Sequence, residues 1–289
     1  MNKLEQFLTR AEALLARLEP LLPPALPEPD WTAPAFHWRR QGLAGWLEAI
    51  HAPHTVALDD LTHIDRQKAQ IVRNTRQFLA GRPANNVLLT GARGTGKSSL
   101  VKALLGAFAS DGLRVIEVDK SHLVDLPLIV ARVAERPEHF ILFADDLSFE
   151  EGDDAYKALK TTLDGGLARR AGNLLVYATS NRRHLMPEKV SENRDVQQHD
   201  GEIHPGEAIE EKVSLSDRFG LWLSFYPFDQ QAYLAAVARW LAHFGLPCDE
   251  AAERAALQWS LMRGSRSGRV AWQFACDWAG RDATNGPDA

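Results

Sequence analysis

The stretch Gly91-Ala92-Arg93-Gly94-Thr95-Gly96-Lys97-Ser98 constrains this chain more than any other. It fills every fixed position of the Walker A pattern G-x-x-x-x-G-K-[ST]. The apolar run Val87-Leu88-Leu89-Thr90 before it reads as a buried strand, and Ser99 to Phe108 after it reads as a helix. A strand, a glycine-rich turn and a helix are the parts of a phosphate cradle. The glycines let the backbone curl with its N–H groups inward, and the helix N-terminus adds partial positive charge. In that cradle Lys97 reaches the β- and γ-phosphates of ATP, the Ser98 hydroxyl ligates Mg²⁺, and Ser99 opens the helix. A chance glycine-rich turn satisfies such a pattern rarely, and more rarely still between a strand and a helix.

The chain has 289 residues, enough for one large domain or two modest ones. Its hydrophobic content of 45% and charged content of 25% are those of an ordinary globular protein. A net charge of −5 gives no general attraction to nucleic acid or anionic lipid, although a local basic patch is compatible with it. The two cysteines, Cys248 and Cys276, make no disulfide framework and suit a reducing cytoplasm. No apolar run approaches the length of a membrane span. Glu5, Glu12 and Glu19 interrupt the N-terminal stretch and argue against a signal peptide.

Residues 1–19 carry Leu4, Phe7, Leu8, Ala11, Leu14, Leu15 and Leu18 at helical spacing, which predicts an amphipathic helix. Its apolar stripe suits packing on this chain or on a neighbouring subunit better than on a membrane, because its polar face mixes Glu with Arg. Six prolines in residues 20–34 predict a stiff linker. Trp31, Phe36, Trp38 and Trp46 follow, with Arg39 and Arg40 between them. Aromatics interleaved with arginines stack on bases in some proteins, but core packing of a small helical module over 35–57 is the simpler expectation. From residue 86 onward, within an α/β domain expected over 58–227, strand and helix patterns alternate, with strands expected at 86–90, 114–118, 140–145, 173–179 and 221–226, which argues for a parallel sheet covered on both faces. Three helical patterns then fill a lid over 228–281, and 282–289 reads as a flexible tail.

Phe140-Ile141-Leu142-Phe143-Ala144-Asp145-Asp146 is an apolar strand ending in two carboxylates. The first, Asp145, suits Mg²⁺, and the second, Asp146, suits orienting or deprotonating an attacking water. Asn181 follows the next strand, where its amide reaches water or the γ-phosphate; alone it would read as a helix cap. Arg218, in Leu215-Ser216-Asp217-Arg218-Phe219-Gly220, and Arg269, opening the last helix with Arg266 as competitor, offer guanidinium groups for phosphoryl charge.

These pieces together resemble the AAA+ ATPase superfamily over residues 58–281, and their wording resembles a bacterial subgroup known only as a domain of unknown function. The resemblance implies an α/β fold: a five-stranded parallel P-loop sheet sandwiched by helices, followed by a small helical lid and here preceded by a helical N-terminal extension. It implies Mg-ATP hydrolysis, with Walker A at Gly91 to Ser98, Walker B ending at Asp145 and Asp146, sensor 1 at Asn181 and sensor 2 at Arg269. It implies a homo-oligomer in which Arg218 acts in trans on the next subunit's ATP, remodelling or loading an unidentified protein partner. Leu61, Ile64 and Asp65 match the family's adenine side. Two departures matter. The second Walker B acid is Asp146 where Glu is usual, a form that initiators and helicase loaders resemble, so a slow ATP-gated switch is the alternative to a motor. The loop Asp119 to Asp125 lacks the aromatic and glycine of a threading pore loop. An acidic insertion at 188–212, with eight acids against three basic residues, separates sensor 1 from Arg218 and is expected to set Arg218 against a neighbour. His199, Asp200, Glu202 and His204 within it fit no strong zinc spacing.

Overall fold

A computed structural model describes residues 3–18, 27–42, 44–150, 152–164, 172–182, 185, 198–199, 202–203 and 215–284. In chain order its helices and strands are α1 (Lys3–Leu18), β1 (Ala35–Gln41), β2 (Ala44–Ile50), α2 (Asp65–Leu79), β3 (Val87–Gly91), α3 (Lys97–Phe108), β4 (Leu113–Glu117), α4 (Leu126–Val133) and β5 (His139–Ala144). They continue with α5 (Asp154–Asp164), β6 (Leu174–Ser180), the two-residue strands β7 (Gln198–His199) and β8 (Glu202–Ile203), β9 (Leu221–Phe225), α6 (Gln230–His243), α7 (Glu250–Met262) and α8 (Gly268–Thr284). Among the described residues no helix is long and apolar enough to cross a membrane.

The main sheet has the order β2-β1-β4-β5-β6-β3-β9. All its pairings are parallel except β1 with β2. Strands buried on both faces read as continuous apolar runs, as Phe140 to Ala144 does. Alternate side chains feed two cores. Phe140, Leu142 and Ala144 join Leu88, Val176 and Ala178 beneath α4 and α5. Ile141 and Phe143 join Val87, Leu89 and Tyr177 beneath α2 and α3. Each of the larger aliphatic and phenylalanine side chains among them, fully withdrawn from water, contributes about 1.5–3 kcal/mol. The lid α6–α8 has its own core around Tyr233, Val237, Leu241 and Phe274. Aspartates Asp229 and Asp249 start its first two helices by accepting from the Ala232 and Ala252 N–H groups at 2.7 and 2.8 Å.

The structure corrects the N-terminal expectation. Residues 35–57 hold a β-hairpin where helices were expected, and it enlarges the five expected strands to a seven-stranded sheet. Trp38 pairs with Leu47 and Phe36 with Ala49, all turned toward the α4–α5 core, while Ala35 and Ile50 turn to the other face. The period is therefore 2, spread over too few residues to outweigh the clustering of aromatics in the sequence. Gly45 is required by contact: a Cβ there would stand 2.1 Å from the Trp38 ring. The expected amphipathic helix at the N-terminus is present as α1, with Leu4, Phe7 and Leu8 exposed. The last helix runs into the expected tail as far as Thr284; residues 20–26 of the expected linker, most of 188–212 and residues 285–289 lie outside the described residues.

One buried carboxylate fastens the hairpin. Asp125 ends a 3₁₀ stretch, Lys120–Asp125, and is 7% exposed. It accepts from Trp38 Nε1 at 3.0 Å and from the Arg40 guanidinium at 3.1 Å. The loop in which threading proteins carry a pore aromatic is thus tied down under β1. Asp125→Ala leaves the buried indole N–H without an acceptor and should cost about 1–3 kcal/mol in denaturant unfolding, with Asp125→Asn costing less because its amide oxygen still accepts from Trp38.

Candidate nucleotide site

Parallel pairing brings the C-terminal ends of β3, β5 and β6 to one edge of the sheet, where α/β folds build their sites. The turn after β3 begins at Gly91, whose φ is 132° and whose Cβ, if present, would stand 1.9 Å from the Phe225 carbonyl oxygen of β9. Gly96, with φ 95°, precedes Lys97 at the start of α3. Gly94, with φ 76°, has a second reason to be glycine, because a Cβ would stand 2.7 Å from Ser267 Oγ in the lid.

Lys97 is 6% exposed. Its ammonium donates to the carbonyls of Gly91 at 2.8 Å and Ala92 at 2.7 Å, and to Asn181 Oδ1 at 3.0 Å. Burial pushes its pKa below the usual lysine value, against the opposing pull of the Asp145 and Asp146 carboxylates. The Asn181 amide then donates to Asp146. Ser98 Oγ donates to Asp145 Oδ1 at 2.6 Å, and Thr179 Oγ1 donates to the same oxygen. Thr179 also accepts the Asp146 backbone N–H at 2.9 Å, so it holds the Asp145 carboxylate in register with the Asp146 backbone. Arg93 lies 3.8 Å from the far Asp146 oxygen.

A cleft of about 790 Å³ opens between this loop and the lid, within the range of small-molecule sites. Arg93 to Ser99, Asp145, Asp146, Asn181, Ile64 and Arg269 all line it. Arg269 also touches the loop through its backbone N–H, which donates to the Gly94 carbonyl at 3.3 Å; its competitor Arg266 is not among the lining residues. Gly91 and Ala92 lie behind the cleft wall as acceptors for Lys97. Arg218 is elsewhere: its guanidinium pairs with Asp164 at the end of α5, and it does not line the cleft of its own chain. Arg182, which follows Asn181, does not line the cleft, and Arg183 lies outside the described residues, as do Asp200 and His204; the described residues hold no cluster of three or more metal-ligating side chains.

The sequence reading missed three parts of the site. The lid wall is aromatic, with Phe228, Trp240, His243 and Trp272 lining the cleft, and the two indoles meet edge-on at 4.7 Å between centroids. The spacing of Ala236, Trp240 and His243 along α6 is the signal that was available, and it reads as ordinary core until the cleft is seen. Thr179 was legible only as part of a strand end. Lys68 holds the carbonyls of Leu58 and Leu61 at 2.9 Å each, fixing the segment that leads to Ile64.

No curated protein matches the chain. A family model described as "Protein of unknown function (DUF815)" matches residues 31–282. Among solved structures, a RuvB variant of Thermotoga maritima is similar at 16% identity with a TM-score of 0.51, over 76% of this chain and 63% of RuvB. This chain therefore spans less than two thirds of that protein's length. The FIGL-1 AAA domain in complex with ADP is similar at 15% identity with a TM-score of 0.53, over 82% of this chain and 77% of that one. At such identities the likeness concerns the fold alone, and that fold is shared with the FIGL-1 AAA domain.

Asp146 is one of two described non-glycine residues with positive φ, at 53°. Left-handed backbone disfavours a Cβ, and strain of this kind concentrates at functional sites. Asp146→Gly should therefore melt no lower than the parent and gain up to about 1 kcal/mol, whereas Asp146→Val should lose at least about 1 kcal/mol in the same thermal melts.

Proposed function

We propose that this chain, which belongs to the DUF815 family, is an ATPase that hydrolyses the β–γ bond of ATP at sites between subunits of a homo-oligomer. The observation that carries the reading is the continuous polar chain Lys97–Asn181–Asp146, set beside the Ser98–Asp145 pair within one cleft. The oxygen-only pair of Ser98 and Asp145 is the donor set that Mg²⁺ takes. Bound there, Mg²⁺ would neutralise charge on the β- and γ-phosphate oxygens.

The residues of this chain divide the remaining work. The curled backbone from Arg93 to Ser99 presents N–H groups to the phosphates. Lys97 supplies a buried positive charge, and Arg269 brings another from the lid. Asp146 accepts a proton from the attacking water, and Asn181 orients that water while holding the carboxylate. Ile64 and the aromatic lid side chains enclose the base and exclude solvent. Arg218 completes a neighbour's site, which accounts for its absence from its own cleft. The work done is remodelling or loading of a protein partner in a reducing, cytoplasmic setting.

A second reading is supported by the engagement of Asp146. Its short side chain is already held by Asn181 and faces Arg93, an arrangement suited to a slow ATP-gated switch. ATP-dependent partner capture with negligible phosphate release would select it.

Lys97→Ala should lose nucleotide binding, and Asp146→Asn should bind ATP while phosphate release falls at least about 100-fold. Arg218→Ala should bind ATP and lose turnover by about 10³-fold or more. Mixing Lys97→Ala with Arg218→Ala subunits should restore part of the turnover, because an intact Lys97 then meets an intact Arg218 wherever the two variants are neighbours in the right order. A mixture as inactive as its parts would refute the action in trans.

A further inference from the structure

We propose that the outer face of α2 is a docking site for the acidic segment 188–212 of a second copy of this chain. Arg73 and Arg76 on α2, with Arg82 just beyond it, line a dent of about 460 Å³ together with Ala69, Val72 and Ala80. All three arginines are exposed. Among the described residues none of them has a carboxylate within ion-pair distance, whereas Arg39, Arg40, Arg136, Arg218, Arg239 and Arg281 each have one. The Arg76 guanidinium lies 5.7 Å from the Phe108 ring centroid, which steadies its direction. Guanidinium forks set among apolar side chains favour carboxylates flanked by apolar side chains.

The complementary charge is in the same sequence. Residues 188–212 carry eight acids against three basic side chains, an excess equal to the −5 of the whole chain. The rest of the chain holds equal numbers of acidic and basic side chains, so the net negative charge is concentrated in this one segment. Val190, Val196, Ile203 and Ile209 supply apolar residues between the acids.

Topology favours a neighbour over the same chain. Leu185 and Leu215, which flank the segment, are fully buried in the core beneath α4 and α5. The arginines stand on α2, which covers the opposite face of the sheet through Ile71 and Phe78. The two described residues that bracket the segment thus stand on the face turned away from the arginines of α2. Arg218 follows Leu215 closely and is held on that same face by Asp164 of α5. In a head-to-tail assembly the face carrying Arg218 meets the next copy's α2–α3 face, so one contact brings the arginine to the ATP cleft and the acidic segment to α2. The proposal rests on the intersubunit reading above and names the surface that aligns the two copies.

The test uses the full chain with a non-hydrolysable ATP analogue and follows mass in solution by sedimentation. Wild type should assemble. The triple reversal R73E/R76E/R82E and the segment reversal E207K/E210K/E211K should each raise the midpoint concentration for assembly at least about 10-fold, and an equimolar mixture should recover to within about 2-fold of wild type. Both variants should bind a fluorescent ATP analogue as wild type does, which reports folding; if a reversal unfolds the chain, glutamine at the same positions gives the same readout with a smaller shift. Normal assembly of either reversal alone, or a mixture that stays dissociated, overturns the docking site while leaving intersubunit catalysis intact. A wild type that never assembles overturns both. Salt-sensitive binding of fluorescein-labelled single-stranded DNA, lost in R73E/R76E/R82E with assembly unchanged, would assign the face to nucleic acid and overturn the proposal.

Discussion

The site depends on where a buried ammonium finds its acceptors. Lys97 is placed at the first turn of α3, inside the fold, and its charge is tolerable only because the Gly91 and Ala92 carbonyls and Asn181 surround it. Those carbonyls point inward because the chain turns at Gly91, and that turn is possible only where β9 passes without a Cβ in its way. Asn181 arrives because β6 runs parallel beside β3 and ends at the same level. The sheet order is thus the means by which one cation is solvated by protein.

From that cation outward the polar network has little slack. Thr179 holds Asp145 through its hydroxyl and Asp146 through the backbone N–H it accepts, so the two acids move together. Farther back, the Tyr177 hydroxyl is buried among Asn74 and Thr75, and Asn74 in turn pairs with the Asn85 backbone. Burial raises the Tyr177 pKa, which keeps the phenol neutral and the network intact. This network ties α2 to β6 and to the strand that feeds the phosphate loop.

Much of this was legible in the sequence for physical reasons. Strands buried on both faces leave continuous apolar runs, so β3, β5 and β6 are plain in the sequence, and β4 and β9 show through shorter apolar stretches between turn residues. The Walker A spacing and the double aspartate are local, and a contiguous reading captures them. The hairpin was misread because Phe36 and Trp38 give only two inward positions, and because the acceptor that fixes them, Asp125, is 87 residues away from Trp38. Trp240, His243 and Trp272 read as lid core because nothing in a helix's own period says that its inner face borders a cleft. Arg218 was recognised by its surrounding motif, but its position on the far face follows from topology that no spacing reveals.

The direct contact between the phosphate loop and the lid has a mechanical consequence. Arg269 N–H donates to the Gly94 carbonyl, and Ser267 sits where a side chain on Gly94 would be. On the other side of the cleft, Arg239 of α6 pairs with Asp60 at 2.9 Å. The lid is therefore hinged by backbone at one rim and latched by charge at the other. The two fastenings differ in kind: salt weakens the latch and leaves the hinge nearly untouched. Ionic strength thus acts on one fastening of the lid and leaves the other in place.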